Sequence, residues 1–310
     1  MTHGTHNAVP DSRNADVKIY INGSFYHRND AKISVFDSGY LVGDGVWEGI
    51  RLYKGELAFI DEHLERLWIA AKTTGISIGL SKKDLIEQIR STLSVNEMVD
   101  NVHIRVMITR GIKKTPSQDP RLTISGPNIV IIAEHKKASL ESKKRGIKLF
   151  TSSFRRGSPD YLDPKLNCHS KLHEVQALIQ AIEAGADEAL MLDINGFVST
   201  CNATNFFIVK NNQIWTSTGD YCMNGITRGK VIEACSKNNI VCLQKNFSLY
   251  DTYGAQEAFV TGTFGGLTPV THIDGKQIGE GKLGSMTSDL STFYESLITV
   301  GRLDEDTTGL

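Results

Sequence analysis

The chain has 310 residues, 40% hydrophobic and 22% charged, with a formal net charge of −1. That length supports one large domain or two medium ones, each with a core of its own, and the composition is that of an ordinary globular protein. A near-neutral balance lacks the basic excess of a dedicated nucleic-acid binder, and no apolar run approaches the roughly 18 residues needed to cross a membrane.

Residues 1–16 are polar, lack the apolar stretch of a signal peptide, and read as a flexible arm. VKIYINGSFY alternates around Asn22-Gly23, a hairpin signal. A stretch with glycines at 39, 43, 45, 49 and 55 follows; their spacing is not that of a nucleotide-binding G-x-G-x-x-G turn. DEHLERLWIAAKTTGI shows helical spacing at Leu64, Leu67, Trp68 and Ala71, with Asp61 as its expected N-cap. A second helix, SKKDLIEQIRSTL, places Ser81 and Asp84 as a capping box. VHIRVMITRG and PNIVIIAEH read as strands. Residues 136–146, KKASLESKKRG, are charged and weakly apolar and read as a linker.

The second half opens on a strand, IKLFTSSFRR, and a loop, GSPDYLDPKLNCHS. KLHEVQALIQAIEAGA is a helix with Gly185 as its stop signal. DEALMLD, GFVST and NFFIVK are strands joined by turns at Asn195-Gly196 and Thr200–Thr204, and Asn211-Asn212 marks another hairpin. A helix from GITR, the strand EAFVTG, a strand pair around Pro269 and the helix SMTSDLSTFYESLITVG complete the chain, with RLDEDTTGL as a frayed tail. The pattern is α+β in two lobes: a small N-terminal lobe, 17–135, and a larger C-terminal lobe, 147–310. Five cysteines, Cys168, Cys201, Cys222, Cys235 and Cys242, are odd in number and contain no C-x-x-C pair. Reduced thiols and a cytoplasmic location are the expectation, without a metal site.

Two segments carry chemistry. In GITRGKVIEAC a turn glycine opens a helix whose first turn holds Thr227 and Arg228; its N–H groups and dipole suit an anion. In TGTFGGLTPV an apolar strand ends in small hydroxyl and glycine residues. Two such ends suit one phosphate, and phosphate together with the lysines lying between points to pyridoxal phosphate.

In family order, GYLVGDGVWEGIRLY, DEHLERL, GADEALMLD, NFFIVK, GITR and TGTFGGLTPV resemble the class IV (fold-type IV) pyridoxal-phosphate aminotransferases, which include branched-chain and D-amino-acid aminotransferases. The resemblance covers about residues 17–300. It implies a small α/β lobe, a larger β-barrel-like lobe and a homodimer acting on amino acids and 2-oxo acids. Arg66 would bind the cofactor phosphate, joined by Ile226, Thr227, Thr263 and Phe264. Trp47 matches an aromatic pocket residue. Arg51 and Arg105 match positions on the substrate side, with a structural ion pair as the plain alternative for Arg51. Trp47, Val42 and Leu172 would line an apolar pocket, which favours a branched-chain or other apolar amino acid.

The chain departs from the family pattern twice. Relatives read D-P-x-x-K at the lysine that bonds the cofactor; here the text is DPKLNCHSKLH, with Asn167 in the strict position. Lys165 falls two residues early, about 6.6 Å along a strand, and Lys171 four residues late, about 6 Å along a helix. Lys171 is favoured, and Lys165 stays open. Thr200 stands where relatives carry the glutamate that keeps the pyridine nitrogen protonated, so a weaker electron sink is implied. That leaves lyase chemistry of the aminodeoxychorismate-lyase type open, and also a non-catalytic cofactor-binding homologue. His169 and His173 flank Lys171 as a rim pair, one of them suited to moving protons.

Overall fold

The computed structural model describes residues 4, 5, 8–138 and 140–300. Most of the expected arm at residues 1–16 falls inside that range, and the RLDEDTTGL tail falls outside it. The chain divides into two compact units. No helix among the described residues is long and apolar enough to cross a membrane.

The first unit comprises residues 9–137 together with 166–171. Its elements are β1 (Lys18–Ile21), β2 (Ser24–His27), α1 (Ser38–Val42), β3 (Gly45–Tyr53), β4 (Glu56–Leu57), α2 (Ile60–Thr74), α3 (Lys82–Val95), β5 (Val102–Thr109) and β6 (Asn128–His135). The strands form one antiparallel sheet in the order β2-β1-β6-β5-β3-β4. Strict alternation sets its two faces. Val46, Ile50 and Leu52 of β3, with Val102, Ile104, Val106 and Ile108 of β5, are buried beneath α2 and α3 beside Leu64, Leu67, Leu85 and Ile89. The expected hairpin and the Ser81–Asp84 capping box are both present. Asp61 is not the cap of α2: it lies in the first turn, and the cap position is Phe59, left-handed at φ 53° with no side-chain cap bond. An acidic residue there still suits the helix dipole.

The second unit holds the remainder. Its elements are α4 (Leu140–Arg145), β7 (Ile147–Thr151), α5 (Leu172–Glu183), β8 (Glu188–Leu192), β9 (Val198–Cys201), β10 (Asn205–Lys210), β11 (Gln213–Thr216), α6 (Ile226–Lys237), β12 (Cys242–Gln244), α7 (Leu249–Tyr253), β13 (Glu257–Gly262), β14 (Gly266–Ile273), β15 (Lys276–Gln277) and α8 (Ser285–Val300). Nine strands form a mixed sheet in the order β12-β11-β10-β13-β14-β7-β8-β9, with β15 beside β14. Strands such as β8 and β13 are buried along most of their length, with α5 packed against β8 and α6 and α8 against β13. Residues 136–146, expected as a linker, contain α4, which packs against β14.

Candidate active site

In the first unit the odd-numbered positions of β3 turn away from the core. Gly45, Trp47, Gly49 and Arg51 lie opposite Thr109, Met107, Arg105 and His103 of β5. This face is largely polar and half-buried, whereas the other is apolar. The Arg105 guanidinium lies 4.1 Å from the centroid of the Trp47 ring, and Arg51 lies 4.3 Å from that of Tyr53. Burial draws the Arg105 pKa down from its ordinary value, opposed by the nearby Glu134 carboxylate. Trp47, Arg51 and Arg105 thus share one face and form a cationic, aromatic surface suited to a carboxylate with an apolar tail.

The segment 167–169 pairs with the free edge of β3. Cys168 bridges Val46, the Trp47 amide donates to the Asn167 carbonyl, and the His169 amide donates to the Gly45 carbonyl. Asn167 and His169 therefore fall on the Trp47–Arg105 face. The His169 ring lies against the backbone at Gly45 and Gly39, where a Cβ would come within 2.7 and 3.1 Å of Nδ1. The ring and the Ile108 carbonyl leave no room for a Cβ at Gly45, and at Gly39 the Thr109 methyl, 2.5 Å from where a Cβ would sit, is the tighter limit. Of the two candidate lysines, Lys165 is exposed and Lys171 half-buried. The expected one-turn helical equivalence between Asn167 and Lys171 does not hold, because α5 begins only at Leu172. His173 Nε2 bonds the Arg155 carbonyl at 2.8 Å.

Arg66, on α2, makes a two-pronged ion pair with Glu48 of β3: Nε to Oε1 at 2.7 Å and Nη2 to Oε2 at 2.8 Å. His63 Nδ1 lies 2.7 Å from the same Oε2. Glu48 is fully buried; burial pushes its carboxyl pKa up, but Arg66 and His63 outweigh that and hold it below the ordinary value. Sequence reasoning missed this group, although an acid at an inward position of an apolar strand was its visible signal.

In the second unit α6 starts at Ile226 behind Gly225, which makes no side-chain cap bond, so the N–H groups of its first turn lack that partner. Thr227 is buried in that turn. Arg228 is buried too, but its Nη2 donates to the Ser217 carbonyl at 2.7 Å and to Gln244, a structural role. α6 packs against β13, where the Thr261 hydroxyl is buried without a partner among the described residues. Half-buried Thr263 and buried Phe264 form the turn from β13 to β14. Asn205 ties this region together: Oδ1 accepts from Gly225 N at 3.2 Å, and Nδ2 donates to the Met223 carbonyl at 2.9 Å and reaches Thr200 Oγ1 at 3.4 Å. Thr200 gives its own hydrogen to the Thr204 carbonyl at 2.8 Å. A separate cleft of about 390 Å³ near Lys148, His272 and Asp274 contains none of these residues.

Residues 45–273 match the model of the family "Amino-transferase class IV". This chain belongs to the class IV aminotransferase family. It is 40% identical over 290 residues to branched-chain-amino-acid aminotransferase-like protein 2 of Arabidopsis thaliana, covering 94% of this chain and 52% of that protein. The chain thus spans about half the length of that relative. It is also 39% identical over 284 residues (91% of this chain, 97% of the relative) to a Methanocaldococcus jannaschii protein provisionally named a branched-chain-amino-acid aminotransferase. Among solved structures, the T.th. branched-chain amino acid aminotransferase with pyridoxamine 5'-phosphate aligns with a TM-score of 0.86 at 28% identity, covering 92% of this chain and 95% of that one.

The donor set of this class IV member suits a phosphorylated cofactor at its anionic end. The uncapped turn of α6 and the partnerless Thr261 hydroxyl are both anion donors.

Proposed function

We propose that this chain is a pyridoxal-5'-phosphate-dependent aminotransferase that moves an amino group between an apolar, branched-chain amino acid and a 2-oxo acid. The observation that carries the reading is the uncapped N-terminus of α6, with Thr227 inside it, in a chain whose fold follows a branched-chain aminotransferase. When bound, the cofactor supplies the carbonyl carbon and the ring that takes up the electrons of the broken bond.

The residues divide the remaining work. Ile226, Thr227, Thr263 and Phe264 are assigned to the phosphate through backbone N–H groups and hydroxyls, and Arg66, braced by Glu48, through its guanidinium. Binding energy at that end positions the reacting atoms. Arg105 and Arg51 are assigned to the substrate carboxylate, and Trp47 to the apolar side chain. Lys171 is assigned as the amine that bonds the cofactor and moves the α-proton, with Lys165 as its rival. Thr200 is assigned to the pyridine nitrogen; with its hydrogen given to Thr204, its oxygen can only accept there, and a neutral hydroxyl stabilises a protonated ring far less than a carboxylate does.

That last feature favours a second reading, a lyase. Purified protein with leucine, isoleucine or valine and 2-oxoglutarate is expected to release glutamate. Pyruvate or ammonia formed from an amino acid without any acceptor would favour the lyase instead. Borohydride reduction of the loaded protein followed by peptide mapping decides between Lys171 and Lys165. A homodimer in the cytoplasm completes the proposal; sedimentation giving a monomer would remove the first element.

A further inference from the structure

The turn from β13 to β14 is weakly specified by its own sequence. Gly262, Gly265 and Gly266 surround Thr263 and Phe264, Gly262 pairs with Gly266, and Gly266 is left-handed at φ 61°. Glycines leave a backbone free to adopt many shapes, so what packs against this turn decides which one it takes. Two threonines of the same compact unit pack there. The Thr204 methyl lies 3.4 Å from where a Cβ on Gly262 would sit, and the Thr5 carbonyl oxygen lies 3.4 Å from where one on Gly265 would sit. Each of the glycines that flank Thr263 and Phe264 thus has a threonine against it.

Both threonines are buried, and both are anchored on one carboxylate, that of the buried Glu188 on β8. Thr5 donates to Oε1 twice, from its amide at 3.0 Å and from its hydroxyl. Thr204 donates from its hydroxyl to Oε2 at 2.8 Å. A buried carboxylate depends on such donors, and bonds to a charged acceptor are the stronger kind. Gly4 follows the same path, since a Cβ on it would sit 3.3 Å from the Asp187 carbonyl oxygen. A segment whose polar composition reads as a flexible arm is therefore docked on β8, 183 positions away in sequence. Through Glu188 it is tied to the threonine at the other end of the turn.

We propose that Thr5 is a positioning residue for the cofactor phosphate: docked on Glu188, it holds Gly265, and with it the turn that carries Thr263 and Phe264, in the shape that receives the phosphate. The inference rests on the assignment of Thr263 and Phe264 to that phosphate and adds to it a residue from the start of the sequence. Docking of Thr5 and binding of the phosphate are then coupled, and each favours the other by the same factor.

The test compares pyridoxamine 5'-phosphate with pyridoxamine, which differ only in the phosphate and do not bond a lysine. By calorimetry, wild type is expected to bind the phosphorylated ligand about a hundredfold more tightly. Thr5→Val keeps the shape of the side chain and removes the hydroxyl from Glu188. It is expected to lower that preference about tenfold while the affinity for pyridoxamine stays the same, and Thr5→Ser, which keeps the hydroxyl, is expected to retain the preference. A role in stability alone would lower the melting temperature of Thr5→Val and leave the ratio of the two affinities as it was. If Thr5→Val does not fold, wild type serves: exchange of the Thr5 amide hydrogen is expected to slow about tenfold with pyridoxamine 5'-phosphate bound, and not with pyridoxamine. A preference that survives Thr5→Val, or a Thr5 amide that exchanges alike with both ligands, overturns the inference alone. Wild type that binds the two ligands equally, or binds neither, overturns the phosphate site and the inference with it.

Discussion

Glu48 Oε1 accepts a 2.7 Å hydrogen bond from Arg66 Nε while Glu48 itself is wholly buried. Its carboxylate aligns the one guanidinium assigned to the phosphate, and Arg66 in turn offsets the desolvation of Glu48. Removing one member of such a pair leaves an uncompensated buried charge, a loss of about 3–5 kcal/mol.

Glu48→Gln is therefore expected to lower unfolding free energy by about 3 kcal/mol near neutral pH, measured by urea titration. The pH dependence has a definite sign. The folded pKa lies below the ordinary 4.5, so the contribution is complete above that value and disappears as pH falls through the lower, folded pKa. The gap between wild type and variant should thus be constant from neutrality to about pH 5 and narrow under more acid conditions. A gap that widens on acidification contradicts the ion-pair account.

Two glycines at the start of α6 separate binding from stability. A Cβ at Gly225 would collide with Asn205 Oδ1, which holds the turn, whereas one at Gly229 meets nothing. Gly225→Ala is expected to weaken binding of pyridoxamine 5'-phosphate by about tenfold through displacement of the first N–H groups. Gly229→Ala is expected to leave binding unchanged and add about 0.5–1 kcal/mol of stability. Equal effects of the two on binding would remove α6 from the phosphate site.

The thiols should differ in reactivity. Cys242 is half-buried, and the neighbouring Cys235 thiol and then Arg228 draw its pKa down against burial. Cys235 is pushed the other way by Cys242 and burial, and burial raises Cys201 and Cys222. Brief iodoacetamide treatment followed by peptide mapping is expected to label Cys242 first. Prior labelling of Cys201 or Cys222 would contradict this assignment.

Much of the fold was legible where local rules and tertiary packing agree. The strands β5 and β6, the Ser81–Asp84 capping box and the Gly185 stop all follow from pattern alone. Asp61 misled because residues of cap type are also favoured in the first turn, and Phe59 occupies the cap by backbone conformation alone. Residues 136–146 looked like a linker because α4 is short and charged. At the site, sequence spacing marked Asn167 as a substitution, but not that Asn167 and His169 share the Trp47 face of β3. That placement depends on the edge of β3 drawing 167–169 into an extended segment, a contact between residues more than a hundred positions apart. Likewise, no local rule reveals that Asn205 joins Thr200 to the start of α6.

The most direct test of the account is transfer of nitrogen. Protein loaded with pyridoxal 5'-phosphate is incubated with ¹⁵N-leucine and 2-oxoglutarate, and glutamate is analysed by mass spectrometry. The account expects ¹⁵N-glutamate and 4-methyl-2-oxopentanoate in equal amounts. Protein that takes up no cofactor, or that holds it and transfers no ¹⁵N from leucine, isoleucine or valine, contradicts it.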